Sequence, residues 1–156
     1  MASGLYVAVI GASKPSPEQE QAAEDVGRGL GAAGAIVITG GRGGVMAAAS
    51  RGAREAGAIV VGLLPGLNRR AANEWVSVAL PTGLGDLRNG LVARSADAVV
   101  AVGGAYGTLT EIAFALNEGI GVVGYDTWAV EGVELADTPA AAVERALELA
   151  AGAEAT

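Results

Sequence analysis

Among its 156 residues the sequence has no cysteine and no histidine. The first absence excludes a disulfide scaffold, a thiolate nucleophile and cysteine-bound zinc. The second removes the usual general base, the Ser-His-Asp arrangement and most transition-metal sites. No metal site is expected, and any catalysis must run on carboxylates, hydroxyls, arginine or backbone groups. Basic runs are missing too. Nine arginines and the single Lys14 are scattered among 17 acidic residues, for a formal net charge of −7. That distribution argues against extended nucleic-acid binding and is first of all a source of solubility. It still permits a local arginine site for one phosphate. No apolar run reaches the roughly 18 residues that span a bilayer. The stretch Leu5 to Ile10 is too short for a signal peptide and lacks a basic segment before it. The expectation is a cytoplasmic protein with neither a membrane nor a nucleic acid as partner.

What is present is glycine, 25 of them, in a chain that is 51% hydrophobic. The length suits one domain, 1–156, with Gly152 to Thr156 as a frayed tail. Short runs rich in Val and Ile alternate with longer Ala-rich segments, the pattern of repeated strand-helix-strand units. Strands are predicted at Leu5–Ile10, Ala35–Thr39, Ala58–Leu64, Asp97–Val102 and Gly121–Tyr125, apolar almost throughout, as parallel strands covered on both faces should be. Trp75–Leu80 is a weaker candidate. Helix starts are legible as well: Ser16-Pro17-Glu18-Gln19 is a capping box with proline at the first helical position, and Thr138-Pro139 precedes a last helix from Ala140 to about Ala151. Asp86 is expected to cap a helix containing Arg88 to Ser95, and Thr108 with Glu111 forms another T-x-x-E box. The fold class predicted is α/β: a Rossmann-like, doubly wound, three-layer α/β/α domain with a mostly parallel sheet. Ligands in such folds lie beyond the carboxyl ends of the strands, which directs attention to the loops after Thr39 and Val102.

Both loops are rich in glycine. Thr39-Gly40-Gly41-Arg42-Gly43-Gly44 leads into an Ala-rich helix, where glycine lets the backbone approach a ligand and the helix start offers N–H groups and a positive dipole end to an anion. A plain tight turn explains the same residues. Arg42 is placed to reach a phosphate bidentately. Gly103-Gly104-Ala105-Tyr106-Gly107-Thr108 repeats the physics, with Glu111 one turn further on. For Glu111 the capping box is an explanation that needs no chemistry. The turn after the first strand, Gly11-Ala12-Ser13-Lys14-Pro15, lacks the dinucleotide fingerprint, and no P-loop motif occurs. Dehydrogenase and P-loop ATPase readings are therefore poor. Lys14, the only lysine, sits in a Lys-Pro turn that gives little support to a pyridoxal phosphate enzyme. Arg51, Arg54, Glu55, Arg69 and Arg70 read as surface charges.

The two loops, with Asp86-Leu87-Arg88-Asn89 between them, resemble the Lonely Guy superfamily, whose enzymes hydrolyse cytokinin riboside monophosphates and are often mislabelled lysine decarboxylases. The likeness runs from about Val7 to Val123 and is greatest to the short branch that includes the molybdenum cofactor carrier proteins. In the hydrolases the second loop is P-G-G-x-G-T-x-x-E. Here Gly104, Gly107, Thr108 and Glu111 match it, and Arg88 matches the arginine of the M-H-x-R-K stretch. Gly103 stands in place of proline, Ala105 in place of the second glycine and Asn89 in place of lysine, and the Met-His pair is absent.

The resemblance implies a small phosphorylated ligand, a nucleoside monophosphate or molybdopterin-type cofactor, and the residues expected to hold it in the glycine-rich turns are Gly11, Gly40, Gly41, Arg42, Gly43, Gly44, Gly104, Tyr106, Gly107 and Thr108. No further cofactor is required. It also implies a homo-oligomer, a dimer or tetramer. Carrier-like binding is favoured, because the lysine and histidine of the hydrolases are missing. The alternative is a phosphoribohydrolase that releases free base and ribose 5-phosphate, with Glu111 and Arg88 as its catalytic pair.

Overall fold

The structure, a computed structural model, describes residues 4–155. Seven strands form one sheet: β1 (Tyr6–Gly11), β2 (Ile36–Thr39), β3 (Val60–Leu64), β4 (Val78–Pro81), β5 (Ala98–Val102), β6 (Gly121–Tyr125) and β7 (Val133–Leu135). Their order across the sheet is β4-β3-β2-β1-β5-β6-β7, and every neighbouring pair is parallel. The helices are α1 (Pro17–Ala32), α2 (Val45–Glu55), α3 (Arg88–Arg94), α4 (Tyr106–Asn117) and α5 (Pro139–Glu154). The predicted doubly wound α/β/α architecture is therefore the one observed. Among the described residues no helix is long and apolar enough to cross a membrane.

Strand alternation divides the core into two layers. Val7 and Val9 of β1 face a cluster built from α1, α2 and α5, whereas Ala8 and Ile10 face the cluster of α3 and α4. Both faces of the central strands are covered, which is why β5 reads Ala-Val-Val-Ala-Val with every residue buried. Small residues let the helices lie close to one another. Gly27 of α1 and Gly52 of α2 meet the opposing backbone directly, so that a Cβ on Gly27 would fall on the Ala49 carbonyl oxygen and one on Gly52 on that of Glu24.

The helix starts divide into those that follow the sequence pattern and those that do not. Ser16 accepts from the Gln19 N–H at 3.2 Å and the Gln19 side chain accepts from the Ser16 N–H at 3.0 Å, the full capping box. Thr138 caps α5 through the Ala141 N–H at 3.1 Å. Asp86 is no cap: it lies within a short 3-10 turn, Gly85–Leu87, and α3 starts from Leu87 without a side-chain cap. Thr108 and Glu111 form no capping box, because α4 already begins at Tyr106 and both residues lie inside it.

Two other expectations are corrected. The weak strand at Trp75–Leu80 is displaced to Val78–Pro81, an edge strand with Val78 and Leu80 exposed. The tail is shorter than expected, since α5 continues through Gly152 to Glu154, while Thr156 lies outside the described residues. β7 was not anticipated. Three residues are too few to show a period, and its Glu134 is held from the helix side by a two-pronged contact with Arg145 of α5.

The α1–α2 crossing reverses the usual sign of a glycine substitution. Gly27→Ala should lower stability by roughly 1–3 kcal/mol through overpacking. In α5, where nothing lies within 4 Å of a Cβ on Gly152, Gly152→Ala should be neutral or stabilising. Thermal midpoints of the two variants check this, and a Gly27→Ala protein as stable as the parent would contradict the close approach.

Candidate functional site

Strand order makes one crevice. From β1 the chain steps outward through β2 and β3 to β4, then returns to the far side of β1 as β5. The connections after β1 and after β5 therefore diverge to opposite faces, opening a gap at the carboxyl ends of these two strands, where Gly11 pairs with Val102. A cavity of about 580 Å³ occupies that gap. Its wall is made by the β1–α1 turn (Gly11 to Lys14, with Gln19), by Gly40 and Met46, by Arg88 and Asn89 at the start of α3, and by Gly104, Ala105, Gly107, Thr108 and Glu111 at the start of α4.

Of the residues singled out from sequence, Gly11, Gly40, Arg88, Gly104, Gly107, Thr108 and Glu111 meet around this one space. Gly41, Arg42, Gly43, Gly44 and Tyr106 do not line it. The first glycine loop is instead used internally. The Ala12 carbonyl oxygen accepts from the Val45 N–H at 2.9 Å, so the start of α2 is stoppered by the β1–α1 turn. Gly44 is the point of contact: a Cβ there would strike the carbonyl oxygens of Ala12 and Ser13. Asn73 ties the same loop from the other side, donating its backbone N–H to the Gly41 carbonyl and its side-chain amide to that of Arg42, at 2.8 and 2.9 Å. The Arg42 side chain is exposed.

The start of α4 is different. Its N-cap is Ala105, which has no side chain able to cap, and no side-chain bond closes the first turn. The N–H groups of Tyr106, Gly107 and Thr108 are left open, with the positive end of a 12-residue helix behind them. Ala105 keeps a negative φ of −111°, so the alanine that stands in the motif's second glycine position is accommodated without strain.

Arg88 forms the floor. Only 9% exposed, it places Nη1 between the carbonyl oxygens of Gly40 and Leu63, at 2.5 and 2.6 Å, and donates Nε to Asn89 Oδ1 at 3.1 Å. Gly40 is a glycine because a Cβ would press on this guanidinium and on the Met46 sulfur. Nη2 has no partner among the described residues. Since no buried side-chain polar atom is left unsatisfied, Nη2 opens into the cavity that Arg88 lines. Burial holds the guanidinium below its ordinary range, with the charge of Arg42 adding to the effect and Glu111 and Asp86 opposing it.

Glu111, in the second turn of α4, shares the cavity with Arg88, whose hydrogen bonds run instead to Gly40, Leu63 and Asn89. Burial pushes its carboxyl up to about 7, and the Arg88 charge only partly offsets this. At neutral pH the group is divided between acid and carboxylate. A site acid able to hold or release a proton thus faces a buried cation and an open helix start. Lys14 and Ser13, both exposed on the cavity wall, were missed as site residues. Their turn lacks any phosphate fingerprint, and the one signal available was position: they follow the first strand.

A doubly wound α/β domain with its crevice at the point of strand-order reversal belongs to a class of ligand-binding folds. The chain belongs to the SLOG cluster4 family, whose model matches residues 4–151. An uncharacterized protein of Archaeoglobus fulgidus is 38% identical over 140 residues, 89% of this chain and 92% of that one. Among solved structures, the molybdenum cofactor binding protein of the phototrophic bacterium Rippkaea orientalis superposes with a TM-score of 0.90 at 29% identity, covering 96% of this chain and 99% of its own. The molybdenum cofactor carrier protein of Chlamydomonas reinhardtii superposes with a TM-score of 0.87 at 32% identity, covering 95% and 99%.

The raised Glu111 carboxyl has a pH signature. Because its folded-state value lies above the ordinary carboxylate range, the stability it contributes is full in acid and is lost as pH rises toward 7. Glu111→Gln, which cannot ionise, should gain stability over the parent at pH 8 and gain little or none at pH 5. Thermal melts at the two pH values test this, and an equal difference at both would show that the carboxyl is not desolvated.

Proposed function

We propose that this chain is a carrier-like binding protein for a small phosphorylated ligand of the pterin-cofactor or nucleotide type, held in the β1–β5 crevice. One observation carries the reading: the open first turn of α4 and the free nitrogen of buried Arg88 converge on a single cavity. Both are donors without acceptors, and a phosphate oxygen is the acceptor that suits them. Gly107 and Thr108 would supply backbone N–H groups, Arg88 a fixed positive charge, and Lys14 a mobile one at the mouth. A volume of about 580 Å³ holds more than a phosphate, so an organic body belongs in the ligand. The cofactor-binding and carrier proteins of Rippkaea orientalis and Chlamydomonas reinhardtii support a molybdenum cofactor-type ligand, because the likeness extends over nearly all of both chains.

Ligand binding to the folded state raises stability by RT ln(1 + [L]/Kd). At a hundredfold excess over Kd, a molybdopterin-type or nucleoside monophosphate ligand should raise the thermal midpoint by roughly 5–10 °C. The dephosphorylated counterpart should do much less. A midpoint that stays flat across phosphorylated pterins and nucleoside monophosphates would contradict the proposal.

Glu111 supports a second reading. With no capping role, it is a carboxyl of raised pKa beside Arg88 in the cavity. In a phosphoribohydrolase it would stabilise an oxocarbenium-like centre or position water, while Arg88 and the start of α4 hold the 5′-phosphate. Incubation with AMP and cytokinin riboside monophosphates, with chromatography for free base and ribose 5-phosphate, separates the two readings. Turnover that vanishes in Glu111→Gln establishes hydrolysis; binding without release establishes the carrier.

A further inference from the structure

The loop Gly103 to Ala105 is held from outside by two consecutive side chains of the connection after β6, and the residue before them holds Gln19 against it. Thr127 Oγ1 donates to the Gly103 carbonyl oxygen at 2.6 Å, and the Trp128 indole Nε1 donates to that of Ala105 at 3.0 Å. Asp126 accepts from the Gln19 side-chain amide at 3.0 Å. Gln19 lies against the same loop, its amide 2.7 Å from where a Cβ on Gly103 would stand. The Tyr106 ring, first in α4, stacks on Trp128 with centroids 5.9 Å apart. Asp126 is itself the one non-glycine residue with a left-handed φ, 48°, among the described residues. Such a conformation persists where its surroundings enforce it.

Left to itself this loop would be loose. Gly103 and Gly104 have φ of 58° and 109°, conformations that cost glycine little and leave it many alternatives. The Gly103 carbonyl is fixed by Thr127, the Ala105 carbonyl by Trp128 together with the Leu109 N–H of α4 at 3.1 Å, and a trans peptide directs its N–H opposite to its C=O. Holding the Gly103 and Ala105 carbonyls on Thr127 and Trp128 therefore aims the Gly104 and Tyr106 N–H groups away from the β6–β7 connection. Neither N–H has an acceptor among the described residues. Away from that connection lies the cavity, which Gly104, Ala105 and Gly107 line.

We propose that Asp126, Thr127 and Trp128 are positioning residues, a clasp that orients the backbone N–H groups before α4 toward the phosphate of the ligand. Resting on the reading of the cavity as a phosphate site, the proposal adds that affinity for phosphate is set from outside the cavity, by side chains that never touch the ligand. Preorganised donors bind an anion better than donors that must be ordered on binding.

Calorimetric titration of the full chain with AMP and with adenosine tests the clasp. Thr127→Val should weaken AMP binding by about tenfold, the loss expected when one orienting hydrogen bond is removed, and leave adenosine binding unchanged. Trp128→Phe should weaken AMP binding in the same direction but by less, because the Leu109 N–H still holds the Ala105 carbonyl, and Thr127→Ser should keep the parent affinity. A purely structural role would lower both ligands together and would overturn the proposal, as would AMP binding unchanged in both the Thr127→Val and Trp128→Phe proteins. Parent protein that binds adenosine no more weakly than AMP would instead overturn the phosphate reading on which the clasp depends.

Discussion

Donors at the carboxyl ends of the parallel strands must find acceptors, and carbonyls there must find donors, or the sheet ends carry unsatisfied polar groups. In this chain two of those carbonyls, on neighbouring strands, are met by one buried guanidinium. Arg88 reaches across to the last part of β3 and to the residue just after β2, holding Leu63 and Gly40 on a single nitrogen. That interaction ties α3 beneath the crevice, favours glycine at position 40 and leaves one nitrogen of Arg88 over. The donor side is met only in part, as at Val45 and Gly103. It remains open at the start of α4, and the candidate site consists of this imbalance.

Two helices begin in glycine-rich loops at the same edge of the sheet, and the contrast between them is informative. At α2 the first N–H is taken by the Ala12 carbonyl, and Gly40, Gly41 and Gly44 relieve contacts within the protein. At α4 the first turn stays free, and the carbonyls of its loop are bonded on the side away from the cavity. Local composition is much alike, but the first N–H is bonded within the protein at α2 and open at α4. The difference lies in which neighbouring segment reaches the helix first.

This explains what was and was not legible in the sequence. Apolar runs ending in glycine disclosed five of the seven strands, because parallel strands buried on both faces leave an unmistakable run of Val, Ile and Ala. Ser16 with Gln19 and Thr138 with Pro139 were read correctly, since a cap followed by proline fixes the first helical residue. Thr108 with Glu111 has the same spacing but is displaced into α4, as the helix starts two residues before Thr108. Gly41 and Gly44 carry the same signal as ligand contacts because the lack of a side chain serves internal packing and ligand approach alike. Lys14 went unnoticed as a site residue because its placement follows from the order of strands, with β5 beside β1, and pairing order is a tertiary fact. β7 is too short to carry any pattern.

The phosphate site proposed is the start of α4 with Arg88, and not the first glycine loop. Amide and guanidinium chemical shifts of isotopically labelled protein, followed during titration with AMP, test it most directly. The account predicts that the largest shifts fall on the Gly104, Gly107 and Thr108 amides and on the Arg88 side chain. Shifts concentrated instead on Gly43, Gly44 and Arg42, with the start of α4 unmoved, would contradict it.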